Sequence, residues 1–422
     1  MKVFKFGGAS VNSIERIKQI PHIIGYYSGE PLLVIVSAMG KTTNALEKVA
    51  ESFFAGKQEE ALGLFQQIKQ QHLNTAKYLL MAEATRAEEK MQDVFTEVEW
   101  LLHDKPVRHF DYYSDQVVCT GELLSTIIIS AWLNECGMQN NWLDVRDVLR
   151  TDDNFRDANI DWEVTRSRVE AEMVPLFREH QLVVTQGFIG STSENESTTL
   201  GREGSDYTAA VFTNLLDADH LTIWKDVAGV MSADPKAFPE AKLLPHLDFN
   251  EVIEMAYYGA QVIHPKTIKP LQNKNIALYV KCFLDPELYG TVINGEPVKN
   301  LPPIIVLKQK QALLHLHSKD FSFVGEKPIA RLYEILASSK IKPNLVQNGA
   351  VRVMLCMDDH SDKVERLALA ASELFDIQVE KNLTLLTVRH YDDETVNRLT
   401  EGKKVVLKQE SEETVQALME ED

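Results

Sequence analysis

Lys2-Val3-Phe4-Lys5-Phe6-Gly7-Gly8 reads as a short strand that ends in two glycines. Asn12 with Glu15 three residues on has the form of a capping box, so a helix is expected over 14–20. Residues 32–37, Leu-Leu-Val-Ile-Val-Ser, form a continuous apolar run between Pro31 and Gly40. A run of that kind is the pattern of a strand buried on both faces of a parallel sheet. Strand, helix and strand at this spacing make a βαβ unit, and the fold is expected to be α/β with an open, mostly parallel sheet and helices on both faces.

Working outward, 44–104 carries apolar residues at helical spacing with little Gly or Pro, and reads as a helical insertion. Ser114 is expected to cap a further helix that carries Gly121-Glu122. Further strands are expected at 182–185 and 221–224, with a helix at 207–215 between them. A turn-rich stretch, Asn294-Gly295-Glu296-Pro297 and Asn300-Leu301-Pro302-Pro303, marks a boundary between domains 1–300 and 301–422. Beyond it, segments at 313–317, 329–338, 343–347, 351–357, 363–374 and 377–380 follow the ferredoxin-like βαββαβ order. A shorter βαβα run follows, with helices expected at 394–399 and 412–419.

The 422 residues carry a formal net charge of -18, which is repelled by nucleic-acid backbones and anionic membranes. Neither is expected as a partner. Cys119, Cys136, Cys282 and Cys356 form no CxxC pair and fit reduced thiols in a cytoplasmic protein. No metal-ligand spacing is found around His264. The start lacks a signal-peptide core, and the apolar runs are too short to span a bilayer.

Two glycines between a strand and a helix let backbone N–H groups approach an anion, and Lys5 adds a positive charge there. The same residues alone would equally make a tight turn with a surface lysine. Gly40-Lys41-Thr42 is not a Walker A loop, because Ile35 stands where its first glycine must be. Gly201-Arg202-Glu203-Gly204-Ser205-Asp206 offers more: an arginine fork for a carboxylate, backbone donors before a helix, and an acid at the helix start. A plain helix cap accounts for Ser205 and Asp206 but not for the clustered glycines and Arg202. Glu122, followed by an apolar run, could receive an ammonium group or simply face solvent.

Read in order, these segments resemble the aspartokinase branch of the amino-acid kinase family. The resemblance rests on Lys5-Phe6-Gly7-Gly8-x-Ser10, Val36-Ser37-Ala38-x-Gly40-x-Thr42-Thr43-Asn44 and Gly121-Glu122-Leu123-Leu124-Ser125. It continues through Thr185-Gln186-Gly187-Phe188-Ile189-Gly190, Thr199-Leu200-Gly201-Arg202-x-Gly204-Ser205-Asp206, Trp224-x-Asp226, Asp234-Pro235 and Gly259-Ala260-x-Val262-Ile263-His264-Pro265. The tail resembles the paired ACT regulatory domains of that family: one full unit at about 311–381, and a shortened one from 304–309 with 382–422. One unit is inserted in the other, so 304–307 is expected to pair with the segment after Leu383, and the second unit reads as one strand short.

The resemblance implies an ATP-dependent transfer of phosphate to the side-chain carboxylate of aspartate, the first step towards lysine, threonine and methionine, with Mg²⁺ bridging the phosphates. It implies Lys5 and Asp206 as catalytic residues, and Thr43, Glu122, Arg202 and Ser205 as the aspartate site. On the ATP side it implies Lys5, Gly7, Gly8, Ser10, Ser37, Lys225, Asp226, Met231, Asp234, Lys236 and Gln261. Effector residues for lysine or threonine would be Phe321, Asn344, Gln347 and Asn348, in a homodimer or higher oligomer built through the ACT region. Lys225, Met231, Gln261 and Glu203 stand where many relatives have Thr, Tyr, Lys and Gly, and Lys225 is expected to supply the cation that Gln261 lacks. Two rivals remain from the sequence: a related kinase with another acceptor, and a catalytically inactive amino-acid sensor.

Overall fold

A computed structural model describes every residue except Ser28, Phe321 and Asp422. The chain divides into two compact units: Met1–Val230 with Leu243–Ile253 and Gln261–Val298, and Met231–Lys242 with Glu254–Ala260 and Lys299–Asp422.

The first unit is built on strands β1 (Lys2–Phe6), β2 (Leu32–Val36), β3 (Asn141–Leu143), β4 (Leu182–Gln186), the hairpin β5 (Ile189–Ser191) and β6 (Ser197–Thr199), then β7 (His220–Lys225), β8 (His246–Asp248), β9 (Ala277–Cys282) and β10 (Thr291–Asn294). Eight of them form one sheet in the order β3-β4-β2-β1-β7-β9-β10-β8. Only the β9–β10 pair is antiparallel. All five residues of β2 are buried, as its uninterrupted apolar run requires. Replacing Ile35, fully buried at its centre, by Ala would cost about 2–5 kcal/mol. The helix Thr120–Glu135 packs on β2, β3 and β4, and Gly204–Leu215 on β1, β2 and β7.

The helical stretch Phe110–Glu135 is long and apolar enough to cross a membrane by length and composition, yet 89% of its apolar window is buried inside the protein. It is the core helix of this unit. The expected insertion is three helices, Thr42–Phe54, Gln58–Leu79 and Ala84–His103, the last two joined by an edge-to-face contact of Phe65 and Phe95. Two caps differ from expectation. Ser13, not Asn12, accepts the Arg16 N–H at the start of Ile14–Ile17, and the helical stretch breaks before resuming at Ile20. Ser114 lies buried inside the helix Phe110–Val118 rather than at its cap.

The second unit holds an antiparallel sheet of β11 (Ile304–Ser318), β12 (Leu345–Asn348), β13 (Arg352–Asp358), β14 (Phe375–Arg389), β15 (Val405–Glu410) and β16 (Thr414–Glu420), in the order β12-β13-β11-β14-β16-β15. β11 and β14 each run through both halves of this sheet. Ile304 pairs with Arg389 and His317 with Asp376, so the expected pairing of 304–307 beyond Leu383 is present.

The expected helix at 412–419 is instead strand β16, hydrogen-bonded to β14 and β15. Its glutamates favour helix locally, but Val415, Ala417 and Met419 are claimed by the sheet's apolar face, and tertiary packing overrides propensity. The second half therefore has its full set of strands and lacks a helix instead. The helices Glu326–Ser338 and Ser361–Ala371 cover the first half. Over the second half lie Val396 and Leu399 of the helix Asp393–Thr400, together with Ala233, Phe238 and Ala241 of the segment Met231–Lys242. That segment stands where a second helix would be.

Candidate active site

Parallel register explains why distant motifs meet. Phe6 pairs with Val36 and with Trp224, and Val36 pairs with Gln186. The next residues in these strands, Gly7, Ser37, Lys225 and Gly187, thus stand side by side at the carboxyl edge of the sheet, where open α/β sheets place ligands. The loops are stitched together there: Ser37 N–H donates to Phe6 O at 3.1 Å and Gly40 N–H to Gly8 O at 3.1 Å. A Cβ on Gly8 would stand 2.8 Å from the Ala38 carbonyl oxygen, so this position takes only glycine.

A cavity of about 460 Å³ opens at this edge. Lys5, Gly8, Ser37, Thr43, Glu122, Arg202, Ser205 and Asp206 all line it. Lys5 Nζ lies 2.6 Å from Asp206 Oδ1, and both side chains are largely buried. Asp206 sits in the first turn of Gly204–Leu215, where the helix dipole favours negative charge. Burial opposes that charge, but Lys5 and Lys225 outweigh it and hold the carboxyl below its ordinary range.

Glu122 differs. Its Oε1 accepts the Ala38 N–H at 3.1 Å, while among the described residues its buried Oε2 has no hydrogen-bond partner. Burial pushes its pKa up to about 8, against the pull of the Ala38 N–H and of Lys5. A neutral acid at pH 7 with one open oxygen is suited to an incoming cation, which would restore its charge. Arg202 is exposed on the same cavity, and among the described residues its guanidinium has no hydrogen-bond or ion-pair partner. Thr43 belongs to the first turn of Thr42–Phe54.

Among the wall residues that the sequence did not mark as site residues are Asp115, Arg156 and Phe188. Asp115 is buried and accepts from Arg156 N–H at 2.9 Å, Thr199 N–H at 2.8 Å and Thr199 Oγ1 at 2.9 Å. Burial raises its pKa to about 6, although these donors stabilise the charged form. It fastens the end of β6, just before Arg202, to the turn at Arg156. A signal was available: Asp115 precedes Glu122 by two helical turns, which puts both acids on one face of a nearly continuous helix. Arg156 carries no such signal and Phe188 only its place in the 185–190 motif, and each reaches the wall from a turn with positive φ (69° and 73°).

The other residues expected at the site fall elsewhere. Ser10 Oγ donates to Trp224 O at 3.3 Å, tying the glycine turn to β7. Lys225 Nζ donates to Val262 O at 2.5 Å, beside Gln261. Asp226 faces Arg16 at 4.0 Å. Gly7, Ser10, Lys225, Asp226 and Gln261 do not line the cavity itself. Met231, Asp234 and Lys236 belong to the second unit, where Asp234 Oδ1 accepts the Lys236 N–H at 3.0 Å.

Of the residues expected to bind an effector, Phe321 lies outside the described residues. Asn344 Nδ2 donates to Gln311 Oε1 and Asp358 Oδ1, and its Oδ1 accepts from Lys308. Gln347 and Asn348 lie on β12, and among the described residues the buried Oε1 of Gln347 has no hydrogen-bond partner.

The profile of the Amino acid kinase family matches residues 1–282. The lysine-sensitive aspartokinase 3 of Escherichia coli is 31% identical over 396 residues, which span 92% of this chain and 86% of that one. Aspartokinase 2 of Arabidopsis thaliana, a chloroplastic protein, is 32% identical over 366 residues, 84% of this chain and 66% of that one. The solved structure of E. coli aspartokinase III with aspartate and ADP superposes with a TM-score of 0.80 at 28% identity, covering 100% of this chain and 96% of that chain. The same enzyme with lysine and aspartate gives 0.80 at 29% identity, covering 99% and 95%. With the glycine turn, the Lys5–Asp206 pair, Glu122 and Arg202 gathered on one cavity, these likenesses assign the chain to the amino acid kinase family, in its aspartokinase branch.

Proposed function

We propose that this chain transfers the γ-phosphoryl group of ATP to the side-chain carboxylate of L-aspartate, giving 4-phospho-L-aspartate and ADP. The observation that carries the reading is one cavity with a completed ion pair, Lys5–Asp206, and two uncompensated groups, Glu122 and Arg202. Free aspartate offers the matching set. Its α-ammonium suits Glu122, its α-carboxylate suits the Arg202 fork, and Thr43 and Ser205 are hydroxyl partners on the same wall. Its side-chain carboxylate is a nucleophile at neutral pH and needs no general base.

One carboxylate oxygen forms the new bond to the γ-phosphorus while the bond to the β,γ-bridging oxygen breaks and ADP leaves. Lys5 offsets the charge spread over the transferring group, Asp206 holds Lys5 in place, and the backbone at Gly7 and Gly8 cradles the phosphates. Catalysis is then positioning and electrostatic stabilisation. Among the cavity's carboxylates Asp206 would be the one to hold Mg²⁺, which would offset charge on the nucleotide phosphates.

Ser10, Ser37, Lys225, Asp226, Met231, Asp234, Lys236 and Gln261 make up the ATP side in this reading. Residues 1–300 are the catalytic domain and 301–422 the ACT region, which joins protomers into a homodimer or larger assembly and binds lysine or threonine near Asn344, Gln347 and Asn348. The open Oε1 of Gln347 favours such a polar effector. Four free cysteines suit the cytoplasm.

Hydroxylamine traps an acyl phosphate as a hydroxamate. The expected result is hydroxamate formed only with ATP and aspartate together, and reduced by lysine or threonine. Hydroxamate from glutamate, N-acetylglutamate or carbamate instead would transfer the reading to another acceptor. None from any acceptor would favour an inactive sensor.

A further inference from the structure

Among the described residues eleven non-glycine residues have positive φ, and three of them, Arg156, Phe188 and Glu203, line the cavity described above. Strained backbone of this kind gathers at functional sites when surrounding structure enforces it. For Glu203 the enforcing structure is visible. It is the N-cap position of Gly204–Leu215, at φ 55° and ψ 27°, yet its side chain does not cap that helix. Instead Glu203 Oε2 accepts the backbone N–H of His264 at 2.9 Å.

His264 is itself the N-cap of Pro265–Lys274, with Nδ1 accepting the Lys266 N–H at 3.2 Å. The ammonium of Lys266 in turn holds Asp157, whose carboxylate fills the space beside Gly201. The turn that carries Arg202 is thus gripped on both sides. Asp115 holds its approach through Thr199, and the start of Pro265–Lys274 holds its exit through Glu203.

We propose that Glu203 is a positioning residue for the acceptor: its carboxylate clasps the Gly201–Gly204 turn to the His264 backbone and so fixes the direction of the Arg202 fork. The role rests on the aspartate kinase reading of the cavity. Glycine at 203 would accept the left-handed backbone without strain, and a side chain there is useful only for what its end can hold. An arginine on an unclasped turn must be ordered by the substrate itself, so the loss should fall on aspartate binding and not on the chemical step.

The test compares Glu203→Ala, Glu203→Gln and Glu203→Gly in the full chain. With Ala and Gly, the KM for aspartate is expected to rise about five- to tenfold, as loss of one hydrogen bond predicts, with kcat and the KM for ATP unchanged. Gln keeps an acceptor oxygen and is expected to restore the wild-type KM. Gly is expected to melt at or above the wild-type temperature, so its raised KM separates positioning from stability.

Amide exchange at His264 should be faster in Ala and Gly and native in Gln. Native exchange in Ala, an unchanged aspartate KM in Ala and Gly, or failure of Gln to rescue would each overturn the clasp. A wild-type chain without aspartate-dependent turnover would overturn the function and with it the acceptor role, while His264 exchange would still show whether the hydrogen bond holds the turn.

Discussion

Two sets of charged groups on the cavity follow opposite electrical plans. One, the completed end, is Lys5 and Asp206, which already satisfy each other within 2.6 Å, with Lys225 adding a second cation. The other, the open end, is Glu122 and Arg202: among the described residues a buried oxygen of the first and the fork of the second have no partner. On the proposed reading the phosphoryl end is complete before any ligand arrives, whereas the acceptor end is completed by the acceptor. A buried pair fixes geometry in advance, which suits a group that must stabilise passing charge. An unsatisfied set discriminates, because a molecule lacking the ammonium leaves the Glu122 oxygen without a partner and one lacking the carboxylate leaves the Arg202 fork unpaired.

The largest effects should come from breaking the completed end. Lys5→Ala leaves Asp206 buried beside a single remaining cation. A loss in kcat of about a thousandfold is expected, with a stability loss of about 3–5 kcal/mol read by urea unfolding. Lys5→Ala with near-native kcat would erase the contrast between the ends.

Arg202→Ala acts on the open end. Its KM for aspartate should rise about 10- to 100-fold, with unchanged melting, since the side chain supports nothing in the fold. A drop in melting temperature would mean that Arg202 has a structural partner after all.

A smaller effect concerns pH. Glu122 titrates near 8 in the folded chain and near 4.5 when unfolded. Between those values the unfolded state releases the proton first, so this residue lowers stability as pH rises from about 4.5 to 8. Glu122→Gln should flatten that slope. Aspartate binding below pH 8 should expel up to one proton, seen as a buffer-dependent heat in calorimetry, and Glu122→Gln should abolish it.

The smallest is Lys225→Ala, for which a rise of about threefold to tenfold in the KM for ATP is expected, on the scale of one charge–charge contact. An unchanged value would remove Lys225 from the nucleotide side.

Much of the site was legible because its pieces are local. Lys5 to Gly8, Glu122 and the stretch from Gly201 to Asp206 each announce a strand end, a helix or a turn, and parallel register brings them together. Asp115 was overlooked because a helical acid between polar neighbours looks solvated. Only the approach of β6 and of the Arg156 turn makes it a buried anchor. In the tail, propensity misled at 412–419, where a Glu-rich run becomes β16 under the demand of two flanking strands. The deficit was therefore placed in the wrong kind of element: a helix is missing, and Met231–Lys242 covers its place. No local pattern reports that a segment far upstream fills such a gap.

β11 and β14 each continue through both halves of the tail sheet, with register shifts between Lys308 and Leu313 where the halves meet. For anyone wishing to dissect this region into separate modules, the join is marked by that irregularity, but both strands are shared across it. A cut that frees one half also strips the partner strand from the other. The opening residues of β11 stay unpaired until Arg389 and its neighbours come round to meet them, so the whole sheet must nucleate as one slow, non-local event. Stop-flow refolding of the tail should accordingly give one phase for both halves, and excision of either half should yield an aggregating fragment and not a smaller folded one.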